Sequence, residues 1–248
     1  MPILDVLRQL FRPVRQPESE PAGAYDIWSQ DYDDQPDNLM LVLDHVLCKN
    51  FLTTIPLAGK TIVDIGCGTG RHWPTLFNGS PARLVGYDVS TGMLNRLRIK
   101  FPRAETHLLS GVTLTGLADD SCDFVLSTLT VAHLPDPAAA LTEWNRVLKP
   151  GGDMLITDYH PAALAKGGQR TFREGDRLIA VRNHVYPISQ LLGITRRLGL
   201  KKVILTEQKV DDSMRSWYER QNALPVFRRF LGVPIIYGLQ LKKPDAAQ

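Results

Sequence analysis

Thr61-Ile62-Val63-Asp64-Ile65-Gly66-Cys67-Gly68-Thr69-Gly70 is the stretch that decides the fold. Thr61 to Ile65 is a short apolar, β-branched run and reads as a buried strand. A glycine-rich turn follows, then a helical pattern through Trp73, Leu76 and Phe77, with Pro74 tolerable only in the first turn. In an open α/β sheet the carboxyl ends of the strands form the binding crevice. Glycines at such a corner admit close approach of a ligand and unusual dihedrals. Backbone N–H groups of the turn can donate to a ligand carboxylate. Asp64 adds a negative charge at the strand end, suited to an ammonium. Together they suit a ligand with an amino-acid end.

Downstream, Arg83 to Tyr87 reads as a second strand and Asp88 stands at its end. An acid about 20 residues beyond a glycine turn is the ribose reader of Rossmann-type sites. Taken singly, the turn is also a tight strand-to-helix corner, and Asp88 also a helix cap beside Ser90. In register with two strands, they predict a site for a nucleoside joined to an amino acid.

The same rhythm continues. Ser90 caps a helix with an apolar face of Met93, Leu94, Leu97 and Phe101, stopped by Pro102. Glu105 to Leu109 and Asp123 to Ser127 read as the third and fourth strands. Asp136-Pro137 opens a helix carrying Leu141, Trp144 and Leu148, which Pro150-Gly151-Gly152 closes. Met154 to Tyr159 is the fifth strand, Pro187 to Leu198 a helix ending at Gly199, and Val203 to Lys209 and Ile235 to Leu241 two more strands. This βαβα succession predicts a mostly parallel sheet with helices on both faces. Upstream, Leu39, Leu43, Val46 and Leu47 share a helical face, with Asp37 placed to cap.

Residues 1–24 read as an appendage, with Pro13, Pro17 and Pro21 as linker residues. Within it, residues 3–15 have the spacing of a basic amphipathic helix, which packs on protein or lies on a membrane surface. Residues 25–248 read as a single domain.

Several motifs together resemble the class I S-adenosylmethionine-dependent methyltransferases, of the methyltransferase type 11 kind. Val63-Asp64-Ile65-Gly66-Cys67-Gly68-Thr69-Gly70-Arg71 is similar to their first motif, and Gly86-Tyr87-Asp88-Val89-Ser90 through Met93-Leu94 to their second. Asp119 to Val125, Val131 to Asp136 and Arg146 to Gly152 are similar to later segments, and Tyr25-Asp26-Ile27-Trp28 with Tyr32-Asp33 to a lid ahead of the first motif. The likeness extends from Tyr25 to His160; beyond that only the strand pattern agrees.

The resemblance implies a Rossmann-like fold with a seven-stranded sheet, S-adenosylmethionine as cofactor and S-adenosylhomocysteine as product. It implies that Asp64, Gly66, Cys67, Gly68 and Gly70 hold the methionine end. Asp88 would hold the ribose and Val89 would pack on the adenine, with Met93 also among the cofactor-binding residues. Ser110-Gly111-Val112 would follow the adenine edge, where many members carry an acid that this chain lacks. Ser127, Thr128 and Leu129 would lie beneath the sulfonium, and Tyr25 and Tyr32 would close over it.

Methyl transfer is an in-line displacement to which a protein contributes mainly alignment and exclusion of water. A base is needed only where the acceptor keeps its proton. Candidate bases follow the fourth and fifth strands: His133 and His160, with Asp158 and Tyr159 beside the latter. His133 also reads as a loop brace and His160 as a packing residue. Segments 161–186 and 211–234 are the expected walls of an acceptor pocket, with Trp217, Tyr218, Phe227 and Phe230 as its apolar side or merely as cover for a sheet edge.

Two other readings compete. A nicotinamide-dependent oxidoreductase would need glycine at Arg71 to complete G-x-G-x-x-G. A methyltransferase-like fold kept as a binding module would have little need of intact glycines and both acids. Ser127-Thr128-Leu129-Thr130 replaces the Pro-Pro-Tyr type of stretch found where adenine or glutamine amines are methylated, and no Pro-Cys nucleophile appears. A small molecule with a hydroxyl, carbon or amine acceptor, in that order, is the residual expectation.

The whole composition agrees. The chain has 248 residues, 44% hydrophobic and 22% charged, with a net charge of +3. That balance is globular and lacks the dense basic stripe of a nucleic-acid binder. Cys48, Cys67 and Cys122 give neither a disulfide framework nor a metal-ligand spacing. No apolar run reaches the ~20 residues of a membrane span, and Asp5, Arg8 and Arg12 break up any signal-peptide core. A cytoplasmic protein is expected.

Overall fold

The computed structural model describes residues 18–35 and 38–246. The opening strand of the sequence reading is β2, Thr61–Ile65, and β1 is a short segment before it, Glu18–Ser19. The remaining strands of the main sheet are β3 (Arg83–Asp88), β4 (Glu105–Leu108), β5 (Cys122–Thr128), β6 (Leu148–Tyr159), β9 (Lys201–Lys209) and β10 (Pro234–Lys242). Their spatial order is β4-β3-β2-β5-β6-β10-β9. Pairing is parallel from β4 to β6, and β10 runs antiparallel to both β6 and β9. The mostly parallel seven-stranded sheet expected from the sequence is therefore present.

Alternation along β2 explains the two layers. Val63 and Ile65 point into one core with Val85, Tyr87, Val125, Met154 and Ile156. That face is covered by α5 (Pro137–Val147) and α7 (Ile188–Arg197), through Leu141, Trp144 and Leu191. Ile62 points to the opposite core with Leu84, Phe124, Leu126 and Leu155. That face is covered by α2 (Leu39–Leu52), α3 (Trp73–Asn78) and α4 (Thr91–Lys100). Asp64 shares the parity of Ile62, so its carboxyl is carried toward α3.

The helix ends follow local chemistry. Ser90 accepts from Met93 N at 3.1 Å, and Asp136 from Ala138 N and Ala139 N at 3.0 Å. Asn38 caps α2 by accepting from Leu41 N; Asp37, the expected cap, lies outside the described residues, as do residues 3–15. Pro150-Gly151-Gly152 does not form a loop after α5. The strand β6 already begins at Leu148, and its register against β5 jumps between Cys122–Leu148 and Phe124–Asp153, with Gly151 at φ +73°.

Three features lie outside the main sheet. Helix α1, Pro21–Trp28, begins at a proline read as linker, where a missing N–H costs nothing. Beyond the short α6 (Pro161–Ala165), a hairpin of β7 (Arg170–Glu174) and β8 (Arg177–Val181) forms a second sheet with β1, in the order β1-β8-β7. Late in the chain α8 (Arg215–Arg220) and α9 (Leu224–Phe230) bury Tyr218, Phe227 and Phe230 against Ile235 and Ala163. Among the described residues no helix is long and apolar enough to cross a membrane.

Candidate active site

The chain leaves β2 toward β3 on one side and returns to β5 on the other, so the crevice opens at the tips of β2 and β5. A cavity of about 350 Å³ lies there, within the size range of small-ligand sites. Of the residues expected to hold the donor, Tyr25, Tyr32, Gly66, Gly68, Asp88, Val89, Met93, Gly111, Val112, Thr128 and Leu129 line it.

The glycines divide by role. Gly68 (φ +53°) and Gly111 (φ +74°) have nothing within 4 Å of where a Cβ would stand. Both line the cavity, so the space a side chain would take is left for a ligand. Gly66 (φ +73°) is required by the fold as well, because a Cβ would fall 2.0 Å from Thr130 Oγ1. Gly70 serves packing instead: its neighbours are Leu97 and Phe101.

Other expected residues lie beside the cavity rather than in it. Cys67 is buried against Gly86 and Trp73, and Ser110 is exposed. Ser127 is fully buried and, among the described residues, its Oγ has no partner. Asp64 is 2% exposed; its Oδ2 accepts from Trp73 Nε1 at 2.9 Å and its Oδ1 has no described partner. Burial, against the pull of that hydrogen bond, pushes the Asp64 carboxyl up to about 7.

Asp88 ties the two strand tips together. Its Oδ2 accepts from Gly68 N at 2.8 Å and its Oδ1 from Ser90 N at 2.9 Å. Burial pushes it up to about 6 despite these donors. Two buried acids whose charge is disfavoured by burial, flanking a glycine turn, are matched by a ligand that brings positive charge. S-adenosylmethionine, with its ammonium and sulfonium, is such a ligand, and Asp64 with Asp88 fits it.

Two Tyr-Asp pairs precede the glycine turn, in the stretch expected to form a lid. Tyr25 and Tyr32 line the cavity, and the acid after each is bonded to the body of the protein. Asp26 Oδ1 accepts from Ser90 Oγ and Gly92 N. Asp33 accepts from Thr69 Oγ1 at 2.6 Å, within the glycine turn, and pairs with Lys100. Trp28 stacks on Tyr25 and on Phe172 of the hairpin, with ring centroids 5.6 and 4.7 Å apart.

The two histidines separate. His133 lines the cavity, its Nδ1 2.7 Å from Arg182 O and its Nε2 2.9 Å from Tyr25 Oη. His160 is not among the cavity-lining residues. It caps α6, with Nδ1 accepting from Ala162 N, and its Nε2 meets Glu207 Oε1 at 2.7 Å.

Arg170 was not legible as a site residue. It is 2% exposed, with its guanidinium 4.4 Å over the Tyr159 ring and Nη2 3.0 Å from Asp158 Oδ1. Its Nη1 reaches Tyr25 Oη at 2.7 Å, Leu129 O at 2.5 Å and His133 Nε2. Leu129 presents that carbonyl from a left-handed conformation (φ +55°) that costs a non-glycine residue about 1–2 kcal/mol.

Comparison with known proteins agrees with this geometry. The sequence model of a family described as "Methyltransferase domain" matches residues 63–156, which run from β2 to β6. Residues 63–156 thus carry the sequence pattern of a methyltransferase domain. Over 114 residues it is 35% identical to a malonyl-[acyl-carrier protein] O-methyltransferase from Yersinia pestis, covering 45% of this chain and 41% of that protein. Over 117 residues it is 33% identical to a demethylmenaquinone methyltransferase from Clavibacter sepedonicus, covering 46% and 47%. The chain thus spans less than half the length of these relatives. In structure, it is similar to an S-adenosylmethionine-dependent methyltransferase from Mesorhizobium loti, with a TM-score of 0.59, 21% identity, and 76% and 93% of the two chains covered. S-adenosylmethionine is the family's cofactor.

Proposed function

We propose that this protein binds S-adenosylmethionine in the cavity at the tips of β2 and β5 and methylates a small molecule. The observation that carries this reading is the pairing of Asp88 with Gly68 N beneath a turn that leaves its own side-chain space empty. Bound S-adenosylmethionine supplies an electrophilic methyl on a sulfonium. The chain's own residues hold it by the amino-acid and ribose ends, close Tyr25 and Tyr32 over it, and keep water away. Ile65, Val89, Met93, Leu109 and Val112 supply the apolar lining.

The acceptor occupies a second cavity of about 650 Å³, lined by Tyr159, Phe172, Trp217, Tyr218 and Phe230 among others. Segments 161–186 and 211–234 contribute part of its wall, and Asp34, Asn38, Leu39, Met40 and Tyr159 contribute more of it. Trp217 Nε1 is buried there without a described partner, a donor suited to an acceptor oxygen. The relative named as an O-methyltransferase supports oxygen as the methylated atom. Buried free thiols at Cys48, Cys67 and Cys122 support a reducing, cytoplasmic setting.

Calorimetry tests the donor assignment. S-adenosylmethionine and S-adenosylhomocysteine are expected to bind in a 1:1 ratio, with NAD and NADP giving no heat. Binding of a nicotinamide nucleotide without either sulfur nucleoside would replace the reading with an oxidoreductase. Tight binding of the donor with no methyl transfer to any of a broad acceptor panel would point to the binding-module alternative.

A further inference from the structure

We propose that Arg170 is the positioning residue of the donor cavity: its guanidinium locks Tyr25 of the lid to His133 and Leu129, and makes His133 an acceptor for Tyr25 instead of a base. This rests on the reading that the cavity holds S-adenosylmethionine.

The hydrogen count supports one arrangement. Nη1 carries two hydrogens and Tyr25 one, and they face three acceptors: Leu129 O, Tyr25 Oη and His133 Nε2. The backbone carbonyl of Arg182 can only accept, so His133 Nδ1 holds the ring's proton. Its Nε2 is then a lone pair. Nη1 donates to Leu129 O and to Tyr25 Oη, and Tyr25 donates to Nε2. Among Nη1, Tyr25 Oη, Leu129 O and His133 Nε2 every hydrogen and every acceptor is then used once, while the buried Arg170 Nε–H has no described partner.

The assembly spans three separate parts of the chain: α1 in Tyr25, the β5 exit in Leu129 and His133, and the hairpin in Arg170. Asp158 fixes the guanidinium from behind, itself held by Ala132 N and Tyr159 N, each at 2.7 Å. Leu129 is in a conformation that leucine rarely adopts, and its carbonyl is spent on Arg170. Strain of this kind persists where surrounding contacts over-determine it. The groups facing His133 are Arg170, Tyr25, the Arg182 carbonyl and His184. Burial first, then the Arg170 charge, hold the imidazole well below its ordinary range, consistent with a neutral acceptor. His133 is the one histidine among the cavity-lining residues, so that wall holds no free imidazole. The acceptors this site suits carry a nucleophile that needs no deprotonation by it, such as a carboxylate.

Nitrogen-15 spectra of histidine in the unmodified protein are the first test. His133 is expected to be neutral, with its proton on Nδ1, from pH 6 to 8; a protonated ring or an Nε2–H tautomer would overturn the proposal. The second test is a double-mutant cycle on S-adenosylhomocysteine affinity. Because removing one member of a buried pair threatens folding, it uses R170M together with D158N as the arginine-deleted background. That background is expected to bind about 10-fold more weakly, Y25F alone about 5-fold more weakly, and the two combined about 10-fold. Multiplicative losses, or unchanged affinity in a folded arginine-deleted background, would overturn it. Failure of the unmodified protein to bind S-adenosylhomocysteine would instead sink the donor reading itself.

Discussion

The carboxylate of Asp26 accepts hydrogen bonds from Ser90 Oγ at 2.7 Å and Gly92 N at 2.8 Å, so a residue of α1 caps the helix that follows β3. Ser90 in turn accepts from Met93 N, and Ser90 N donates to Asp88. The placement of α1 and that of Asp88 are therefore joined through two side chains. Asp26→Ala removes a surface cap whose contribution is about 1 kcal/mol. The expected result is a Tm lower by a few degrees and a larger effect on S-adenosylhomocysteine binding, weakened about fivefold by loss of the closed lid. Equal affinity in both proteins would show that the lid is not coupled to the donor.

Gly66 and Gly68 look interchangeable in the motif, and the structure separates them. Gly66→Ala places a methyl 2.0 Å from Thr130 Oγ1 at φ +73°. The loss of stability is expected to reach about 3 kcal/mol or more, from overpacking plus backbone strain. Gly68→Ala meets no protein atom, so stability falls by only about 1 kcal/mol from its positive φ. Its Cβ points into ligand space, and donor binding is expected to weaken at least tenfold. Urea unfolding alongside calorimetry reads both; the reverse pattern would refute this division of roles.

The same contrast shows what the sequence could reveal. Strand β2, the turn and Asp88 were legible because the information is local: an apolar run, glycines, and an acid one strand later. The alternation of strands and helices showed a mostly parallel sheet with helices on both faces, and the resemblance implied its seven strands; their order is seen only in the structure. Arg170-Thr171-Phe172-Arg173 carries no such mark and reads as a polar surface segment. Arg170 is buried because Asp158 and Tyr159 receive it, and Tyr25 reaches it across 145 positions of chain. His160 looked equivalent to His133 at a strand end. Its side chain instead turns to Glu207 on the neighbouring part of the sheet. The Tyr-Asp repeat was visible as a lid, but the partners of its acids, Ser90 and Thr69, were not.

Donor affinity is expected to depend on pH through the two acids. Asp64 and Asp88 sit near 7 and 6 in the free protein, because burial disfavours their charge. A cationic ligand binds their ionised forms, so binding releases protons when the pH lies below these values. Kd should fall as pH rises from 5 to 7.5 and level off above that, with proton release visible as buffer-dependent heat. Stability of the free protein carries the opposite sign. Both carboxyls lie above their unfolded value, so their contribution is full below about pH 4. It is lost as pH rises through 6 to 7. Asp44 acts separately: burial opposes its charge, but Arg71, His72 and Thr157 outweigh that and hold it below the usual range, so its contribution fades only under stronger acid. A flat pH profile for donor binding would remove both acids from the site.

Trp217 distinguishes an acceptor chamber from simple cover of a sheet edge. Its ring belongs to the wall of the second chamber and packs edge-on to Tyr218, with its buried N–H left without a described partner. The residue lies on α8, far along the chain from the donor motifs. Trp217→Phe keeps most of the apolar surface and removes the donor; Trp217→Ala opens the wall. If the chamber holds the acceptor, both variants bind S-adenosylhomocysteine with unchanged affinity. With the acceptor, once identified, KM rises severalfold for the phenylalanine variant, the size of one lost hydrogen bond. For the alanine variant kcat/KM falls by about 100-fold, as lost packing also disturbs alignment. A role limited to packing predicts instead a stability loss in the alanine variant of about 3 kcal/mol with kinetic constants intact. Measuring Tm and kinetics on the same preparations separates the two, because only the chamber reading moves KM in a variant whose fold is unaltered.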